Sequence, residues 1–248
     1  MSNYEMIFKR KSIRTFTEEK FSQDLVNEIN SYIKNELIPC KTGINIEVYF
    51  LESEKVSGLF KVKAPYYVII TSENKEDYEI NAGFVLEQLV LWLTEKNIGT
   101  CWLGSAKPKK KTYEKFKLEY ITMIACGYTD AKLFREDIKE FKRLYVDKIC
   151  LEGQPNEYIE VARLAPSSLN MQPWRFLVNK DTIHVYKKKA AGLMEKKMEK
   201  EINISIGIAL CHMYELSKAK NEQIKFEKQD ENNVKNIEKF EYVISIKI

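Results

Sequence analysis

Neutral hydrogen-bonding side chains are concentrated in one short stretch, Ala165-Pro166-Ser167-Ser168-Leu169-Asn170-Met171-Gln172-Pro173-Trp174-Arg175-Phe176. Pro166 and Pro173 each push the preceding residue out of helical geometry, so the hydroxyls and amides of Ser167, Ser168, Asn170 and Gln172 are expected on a fixed turn. Donors of that kind suit a flat polar heterocycle, because they satisfy its carbonyls and hydroxyls without bringing an unpaired charge into an apolar site. A plain helix end followed by a turn is the other reading of the same residues. A second candidate is Arg10-Lys11-Ser12-Ile13-Arg14, where three cations and a hydroxyl converge on one dianionic phosphate if the backbone leaves the helix there. A solvated basic turn fits that pattern too.

The composition narrows the chemistry. Histidine occurs only twice: His184 sits in an alternating, strand-like run, and His212 lies beside Cys211, a separation at which helical side chains do not face each other. A Cys-His nucleophile pair, a histidine-based triad and a multi-histidine metal site are therefore poorly supported, and chemistry from a bound cofactor is expected. The five cysteines, Cys40, Cys101, Cys126, Cys150 and Cys211, are scattered and lack Cys-x-x-Cys spacing, which reads as reduced thiols in a reducing compartment. A net charge of +4 with interspersed acids and bases demands neither a nucleic acid nor an anionic membrane. The N-terminus carries Glu5 and no apolar signal core, and no run approaches the roughly 18 apolar residues of a membrane span, so cytoplasmic residence is the expectation. With 248 residues and 44% hydrophobic content, the chain can bury a large core as one domain or two coupled halves.

Several elements must position the two candidate segments. Ser2 and Glu5 are spaced as a capping box for a short helix that delivers the basic segment. Ser22 can cap a helix with Leu25, Ile29 and Ile33 on its apolar face. Alternation at Ile44, Ile46, Val48 and Phe50 predicts a strand, and the β-branched run 66–70 a second, interior one. Residues 80–97 form the strongest helix, with Phe84, Leu86, Leu89, Val90 and Leu93 wrapping most of its circumference, which predicts burial on all sides. It stops at Asn97-Ile98-Gly99, and residues 121–126 form another strand. Lysines at 107, 109, 110, 111, 115 and 117 either attract the phosphates of a nicotinamide dinucleotide or form a solvated surface. Further on, strands at 174–178 and 183–186 flank the hairpin signal Asn179-Lys180-Asp181. A helix is expected over 202–218 and an apolar strand over 242–248, while 189–200 reads as a cover over a pocket or as an exposed helix start.

The pattern Ala-Pro-Ser-Ser-x-Asn-x-Gln-Pro-Trp-x-Phe at 165–176 resembles the flavin-contacting segment of the nitroreductase family. Arg10-x-Ser12-x-Arg14, followed by Phe16-Thr17, resembles that family's FMN-phosphate motif. The resemblance implies an α+β (α/β) fold of mostly antiparallel sheets flanked by helices, FMN as cofactor and NAD(P)H as electron donor. It implies phosphate contacts from Arg10, Lys11, Ser12 and Arg14, and contacts to the ring or ribityl chain from Pro166, Ser167, Ser168 and Asn170. In the family, the loop after the central helix aims backbone N–H groups at the flavin N5 edge, which by carry-over falls on Leu103 and Gly104; Cys101 and Trp102 either touch the flavin or pack in the core. Gly127-Tyr128 followed by a late arginine, Arg143, resembles the closing segment that adds a phosphate contact. Alanine at Arg10 and Arg14 is expected to weaken FMN retention and leave the fold largely intact.

Residues 5–148 resemble one subunit of that family in order, except that the Ser-rich segment is missing after the second helix, where Leu37-Ile38-Pro39 stands instead. Leu164-Ala165-Pro166 repeats this frame, and Gly207, Leu210, Lys220 and Asn221 align on Gly83, Leu86, Lys96 and Asn97. Family members form their flavin sites from two subunits. The expectation is therefore a fused pseudo-dimer that stands as a monomer, with residues 1–150 carrying the basic motif and a degenerate half, 151–248, carrying the Ser-rich segment. One FMN site is kept, and the central buried helices pack together. The activity implied is two-electron transfer from NAD(P)H to a small-molecule acceptor such as a nitroaromatic, quinone or enone by a ping-pong mechanism. A flavin-binding module or a pseudoenzyme without turnover is the alternative.

Overall fold

The structure, a computed structural model, describes residues 2–57, 62–104, 106–190 and 195–248. The chain divides into two compact units, one of Met1–Tyr78 and Val85–Glu140, the other of Glu79–Phe84 and Phe141–Ile248. The division falls earlier than the expected 150/151, and it assigns the start of the central helix to the second unit.

In the first unit, α1 (Asn3–Ile7) opens with the expected capping box, the Ser2 and Glu5 side chains each accepting from the other's backbone N–H. Helix α2 (Gln23–Asn35) is capped by Ser22, whose Oγ accepts from the Leu25 N–H at 3.3 Å. Strands β1 (Ile46–Glu52), β2 (Val56–Ser57) and β3 (Tyr66–Ser72) follow, then α3 (Tyr78–Glu95), β4 (Gly99–Leu103), β5 (Lys107–Pro108), α4 (Lys110–Tyr113) and β6 (Glu119–Gly127). The sheet runs β1-β3-β6-β4, antiparallel throughout. Interior position explains why β3 is buried at every residue and why its sequence is a continuous apolar run. Strands β2 and β5 form a separate small ladder. The lysines of 107–117 are all exposed, as a solvated surface requires.

The second unit holds α5 (Val146–Ile149), β7 (Cys150–Glu152), α6 (Glu157–Arg163), β8 (Trp174–Asn179), β9 (Thr182–Lys188), α7 (Glu195–Lys220), β10 (Lys225–Glu227) and β11 (Phe240–Lys247). Its sheet runs β10-β11-β9-β8-β7, with only β7–β8 parallel. The hairpin turns at Lys180, whose φ of 52° is the left-handed geometry such loops need. Helix α7 begins before the expected 202, because its first turns are charged and carry no apolar period; residues 191–194 lie outside the described residues.

The two units repeat one another. Strand order β1-β3-β6-β4 in the first matches β8-β9-β11-β10 in the second, with α3 and α7 each inserted between the second and third strands of the chain order. Both long helices end on asparagine in the same way. Asn97 (φ 61°) donates to the Thr94 carbonyl at 3.1 Å, and Ile98 donates to Leu93 at 2.9 Å. Asn221 (φ 56°) and Glu222 donate to Lys218 and Ser217 at 3.1 and 2.9 Å. Each pair of bonds is a Schellman cap with Asn in place of glycine.

Within the second unit the start of α3 crosses α7 backbone to backbone. A Cβ at Gly83 would meet the Ile204 carbonyl oxygen at 2.1 Å, and a Cβ at Gly207 would meet the Ile80 carbonyl oxygen at 1.9 Å. Asn203 donates across the crossing to Glu79 Oε2 at 2.8 Å. One spacing relates Gly83 to Gly207, Ile80 to Ile204 and Glu79 to Asn203, so the contact is reciprocal, as across a two-fold axis.

Candidate functional site

The basic segment leaves α1 where the Arg10 N–H bonds back to the Met6 carbonyl at 2.8 Å. It then runs outside any helix, Arg10 bridging Phe134 antiparallel and Ser12 bridging Thr100 in parallel. Ile13 donates to the Thr100 carbonyl at 2.8 Å, and its buried side chain lies 3.0 Å from where a Cβ on Gly99 would stand. Glycine there lets the segment dock. Arg14 and Arg10 both act on the Cys101 thiol, whose pKa burial nonetheless raises, while Lys11 acts on Glu140. Arg10 and Arg14 thus act on one thiol with Ser12 between them in the chain, and Lys11 acts on Glu140, the carboxylate that also acts on Arg135.

Arg10 is the unusual member. It is 2% exposed, its Nε lies 3.6 Å from Oε1 of the fully buried Glu87, and that Nε has no hydrogen-bond partner. Burial lowers the pKa of this guanidinium, against the pull of Glu87. Glu87 also accepts from Trp102 Nε1 at 2.9 Å, which places Trp102 in structural work. Arg10 therefore does not fit the expectation of a site residue removable without cost to the fold, since its loss takes a cation away from a buried carboxylate.

A cation that sequence reasoning missed stands beside it. Arg135 donates from its backbone to the Lys9 carbonyl at 2.8 Å, and its side chain donates to the Arg10 carbonyl. Burial, and then the Arg10 charge, push its pKa down to about 10. Gly127-Tyr128 is followed by two arginines, and the bridge between Phe134 and Arg10 is what brings the earlier one to the basic segment. Glu87 had a visible signal, a carboxylate midway along a helix flanked there by Phe84, Val85, Leu86, Leu89 and Val90. Leu103 ends β4 with its side chain in the core, and exposed Gly104 follows it. A cavity of about 550 Å³ in this unit is lined by Phe16, Thr17, Lys20, Lys63 and Tyr67 among others, and includes none of Arg10, Ser12 or Arg14.

In the second unit the Ser-rich segment is a strained turn. Leu169, Asn170 and Gln172 have φ of 49°, 57° and 48°, and Leu169 is 94% exposed. Left-handed geometry at non-glycine residues persists only where surrounding bonds over-determine it. Those bonds are present. Ser167 Oγ accepts from the Gln172 N–H at 2.9 Å, and Gln172 Oε1 accepts from the Leu144 N–H at 2.6 Å. Arg143 donates to the Ala165 and Leu164 carbonyls at 3.0 and 3.2 Å and to Asn170 Oδ1 at 2.7 Å, while Asn170 Nδ2 donates to the Lys142 carbonyl at 2.8 Å. Arg143 and Asn170 thus brace the turn, a role different from the cofactor contacts expected of them. Pro166 starts it, and Ser167, whose Oγ accepts from Gln172, and Ser168 bring neutral hydroxyls to its partly buried face.

Each turn, taken by itself, carries donors of a kind that one part of a flavin nucleotide accepts. Arg10, with an Nε that makes no hydrogen bond, stands beside Arg135 and Arg14, and guanidinium groups of that kind suit a dianionic phosphate. The Ser167 and Ser168 hydroxyls, in a turn held open by strain, match a neutral polar ring or polyol.

Two mostly antiparallel sheets with flanking helices, a basic extended turn and a Ser-rich strained turn define a nitroreductase-like α+β protein. The family described as "Putative TM nitroreductase" matches residues 3–217, so the chain belongs to it, and membership points to an oxidoreductase. Among solved structures, one described as a putative nitroreductase from Thermotoga maritima is 21% identical, with a TM-score of 0.67 over 99% of this chain and 92% of that one. A nitroreductase family protein from Clostridium difficile is 15% identical, with a TM-score of 0.48 over 60% of this chain and 96% of its own. An FMN-dependent nitroreductase from Clostridium difficile is 17% identical, with a TM-score of 0.45 over 56% of this chain and 96% of its own. Comparison with curated proteins found no match. Among the described residues, no helix is long and apolar enough to cross a membrane.

Proposed function

We propose that this protein is an FMN-dependent oxidoreductase that passes two electrons from NAD(P)H to a small acceptor such as a nitroaromatic, quinone or enone, donor and acceptor using the site in turn. The observation that carries the reading is the clustering of cations at the basic turn, where Arg10 is buried beside Glu87, the half-buried Arg135 donates to the Arg10 carbonyl, and Arg14 acts with Arg10 on the Cys101 thiol. Bound FMN would supply the two-electron chemistry. Arg10, Lys11, Ser12 and Arg14, with Arg135 added, are assigned its phosphate. Pro166, Ser167 and Ser168 are assigned the ring or ribityl chain on the strength of the family motif, and the backbone of Leu103 and Gly104 the ring edge. Glu87 holds Arg10 in place, and Arg143 and Asn170 hold the Ser-rich turn. Hydroxyl and N–H donors at the ring would stabilise negative charge on the reduced cofactor without a protein acid for the hydride itself.

The repeated strand order and the reciprocal Gly83–Ile204 and Gly207–Ile80 contacts support a fused pseudo-dimer that keeps one FMN site and stands as a monomer. An absorbance spectrum tests the function. Purified protein is expected to be yellow or to take up added FMN, and NADH or NADPH is expected to bleach it. Colourless protein that refuses FMN refutes the reading, and a yellow protein indifferent to both nicotinamides leaves a binding module without turnover.

A further inference from the structure

Side chains of β9 alternate between the two faces of the second unit's sheet. On one face Lys187 reaches Asn203 and Glu199 of α7. On the other stand His184 and Tyr186, in register with Ser245 and Tyr242 of β11, and the bulge between Tyr242 and Ile244 lets those two residues share that face. There His184 Nδ1 lies 2.8 Å from Ser245 Oγ, and Ser245 Oγ lies 2.8 Å from the Tyr242 hydroxyl. The Tyr242 oxygen accepts from the Gln229 N–H at 3.0 Å and lies 3.4 Å from the Glu227 carbonyl. Gln229 stands near the start of the segment 228–239 that joins β10 to β11, and the Tyr186 hydroxyl donates to the Lys235 carbonyl of the same segment at 2.8 Å. Two phenols thus fasten one connecting segment, and one of them is linked to a histidine.

The distances decide which way the protons run. With the His184 proton on Nε2, Gln229 donates to Tyr242, Tyr242 to Ser245 and Ser245 to Nδ1, so every group is satisfied over bonds of 3.0, 2.8 and 2.8 Å. With a proton on Nδ1, that nitrogen must donate to Ser245, and Ser245 must donate to the Tyr242 oxygen already taken by Gln229. The phenol proton is then left only the 3.4 Å path to Glu227. An imidazolium carries a proton on both nitrogens, so the second arrangement is forced on it.

We propose that His184, Ser245 and Tyr242 form a proton-operated latch on the 228–239 segment: neutral His184 lets Tyr242 hold Gln229, and a proton taken from water at Nδ1 reverses the chain and loosens that hold. The groups facing His184 are Leu177 of β8 and Ser245 of β11 in register, the Tyr242 ring at 6.4 Å, and, beyond Ser245, Glu227 of β10. Arg175 of β8 is turned to the Phe240 ring and to the Gln172 and Trp174 carbonyls, and Lys235 of the segment pairs with Glu152. Burial lowers the His184 pKa below its ordinary 6.5. The fold therefore favours the neutral ring, and the latch is closed at neutral pH and opens as pH falls through the lowered value.

Nuclear magnetic resonance on the full chain tests this. At about pH 8, some 1.5 units above an ordinary histidine, the imidazole nitrogen shifts are expected to show His184 as the Nε2–H tautomer. The protection factor of the Gln229 amide is expected to fall roughly five- to tenfold as His184 takes up its proton, the worth of about one hydrogen bond. In Ser245→Ala that fall should vanish, and His184 should titrate higher than in wild type because Nδ1 has lost its donor. Tyr242→Phe should lack the Gln229 protection at every pH. An Nδ1–H tautomer, a Gln229 protection factor indifferent to the His184 titration, a Ser245→Ala variant that keeps the wild-type fall or leaves the His184 titration unmoved, or protection that survives Tyr242→Phe overturns the proposal.

Discussion

Glycine to alanine inside a helix ordinarily stabilises a protein, because alanine costs less backbone entropy, by about 0.5–1 kcal/mol. At Gly207 the sign should reverse. The added methyl would stand 1.9 Å from the Ile80 carbonyl oxygen and 2.8 Å from the Phe84 backbone nitrogen, and neither is the movable end of a side chain. Restoring ordinary contact near 3.4 Å requires α7 and the start of α3 to separate by about 1.5 Å. That shift opens the packing of Ile204, Ile208 and Phe84 and strains the Asn203–Glu79 hydrogen bond. Overpacking costs about 1–3 kcal/mol and more where backbone must move, so a net loss of about 2 kcal/mol is expected after the propensity gain. With a urea m-value of about 3 kcal/mol/M, the midpoint falls by roughly 0.7 M. Gly83→Ala should behave alike, and the double variant should lose less than the sum, since one separation relieves both clashes. A midpoint that stays or rises in Gly207→Ala would refute the close crossing and the reciprocal geometry with it.

Arg10→Ala should cost about 3 kcal/mol or more by removing the cation that stands 3.6 Å from buried Glu87, and Arg10→Ala/Glu87→Gln should regain part of it in urea unfolding; no recovery would remove the ion pair from the account. Arg143→Ala should speed amide exchange across residues 165–172, and Arg143→Lys should not restore protection, because an ammonium cannot reach three oxygens in a fork. Equal exchange in all three proteins would count against the brace. Lys75, then the Asn45 N–H and amide, hold the Glu73 carboxyl down to about 2. A depressed folded value means its contribution is present above the ordinary pKa and lost as pH falls toward 2, so Glu73→Gln should flatten the midpoint-against-pH curve below about pH 4.5. Cys126 is fully buried and its thiol pKa is pushed up by that burial, so it should resist alkylation in native protein at pH 8 (working value, about half a unit below a free thiol's pKa) and react once urea unfolds the chain.

What the sequence disclosed follows the strength of local signals. Helix α3 was legible because apolar residues surround it, and the capping box at Ser2 and Glu5 because both partners are side chains at fixed spacing. Strands β7 and β10 were not, each being only three residues long and supplied largely by pairing with a neighbour. The start of α7 was hidden for the opposite reason, since its charged first turns form a helix without an apolar face to announce it. Motif residues were found as types, but their partners were not. Only the folded register distinguishes Arg135, beside Arg10, from Arg143, on the Ser-rich turn.

That distinction bears on how a charged turn becomes a binding site. Arg10, Lys11, Ser12 and Arg14 read identically in sequence whether solvated or buried, and a solvated cluster would bind a phosphate weakly and in competition with salt. Burying Arg10 against Glu87 changes the energetics: the guanidinium is already stripped of water, oriented by a carboxylate that is itself fixed by Trp102, and left with an unpartnered Nε. Were the phosphate assigned to this turn to bind there, it would not repeat that desolvation, which is how preorganisation raises affinity. Trp102→Phe isolates the effect, since it removes the bond to Glu87 and touches neither arginine. Phosphate-dependent stabilisation, measured as the rise in thermal midpoint with added FMN or inorganic phosphate, should shrink in this variant. An undiminished rise would show that the arginines bind as ordinary surface cations, with Glu87 and Trp102 serving packing alone.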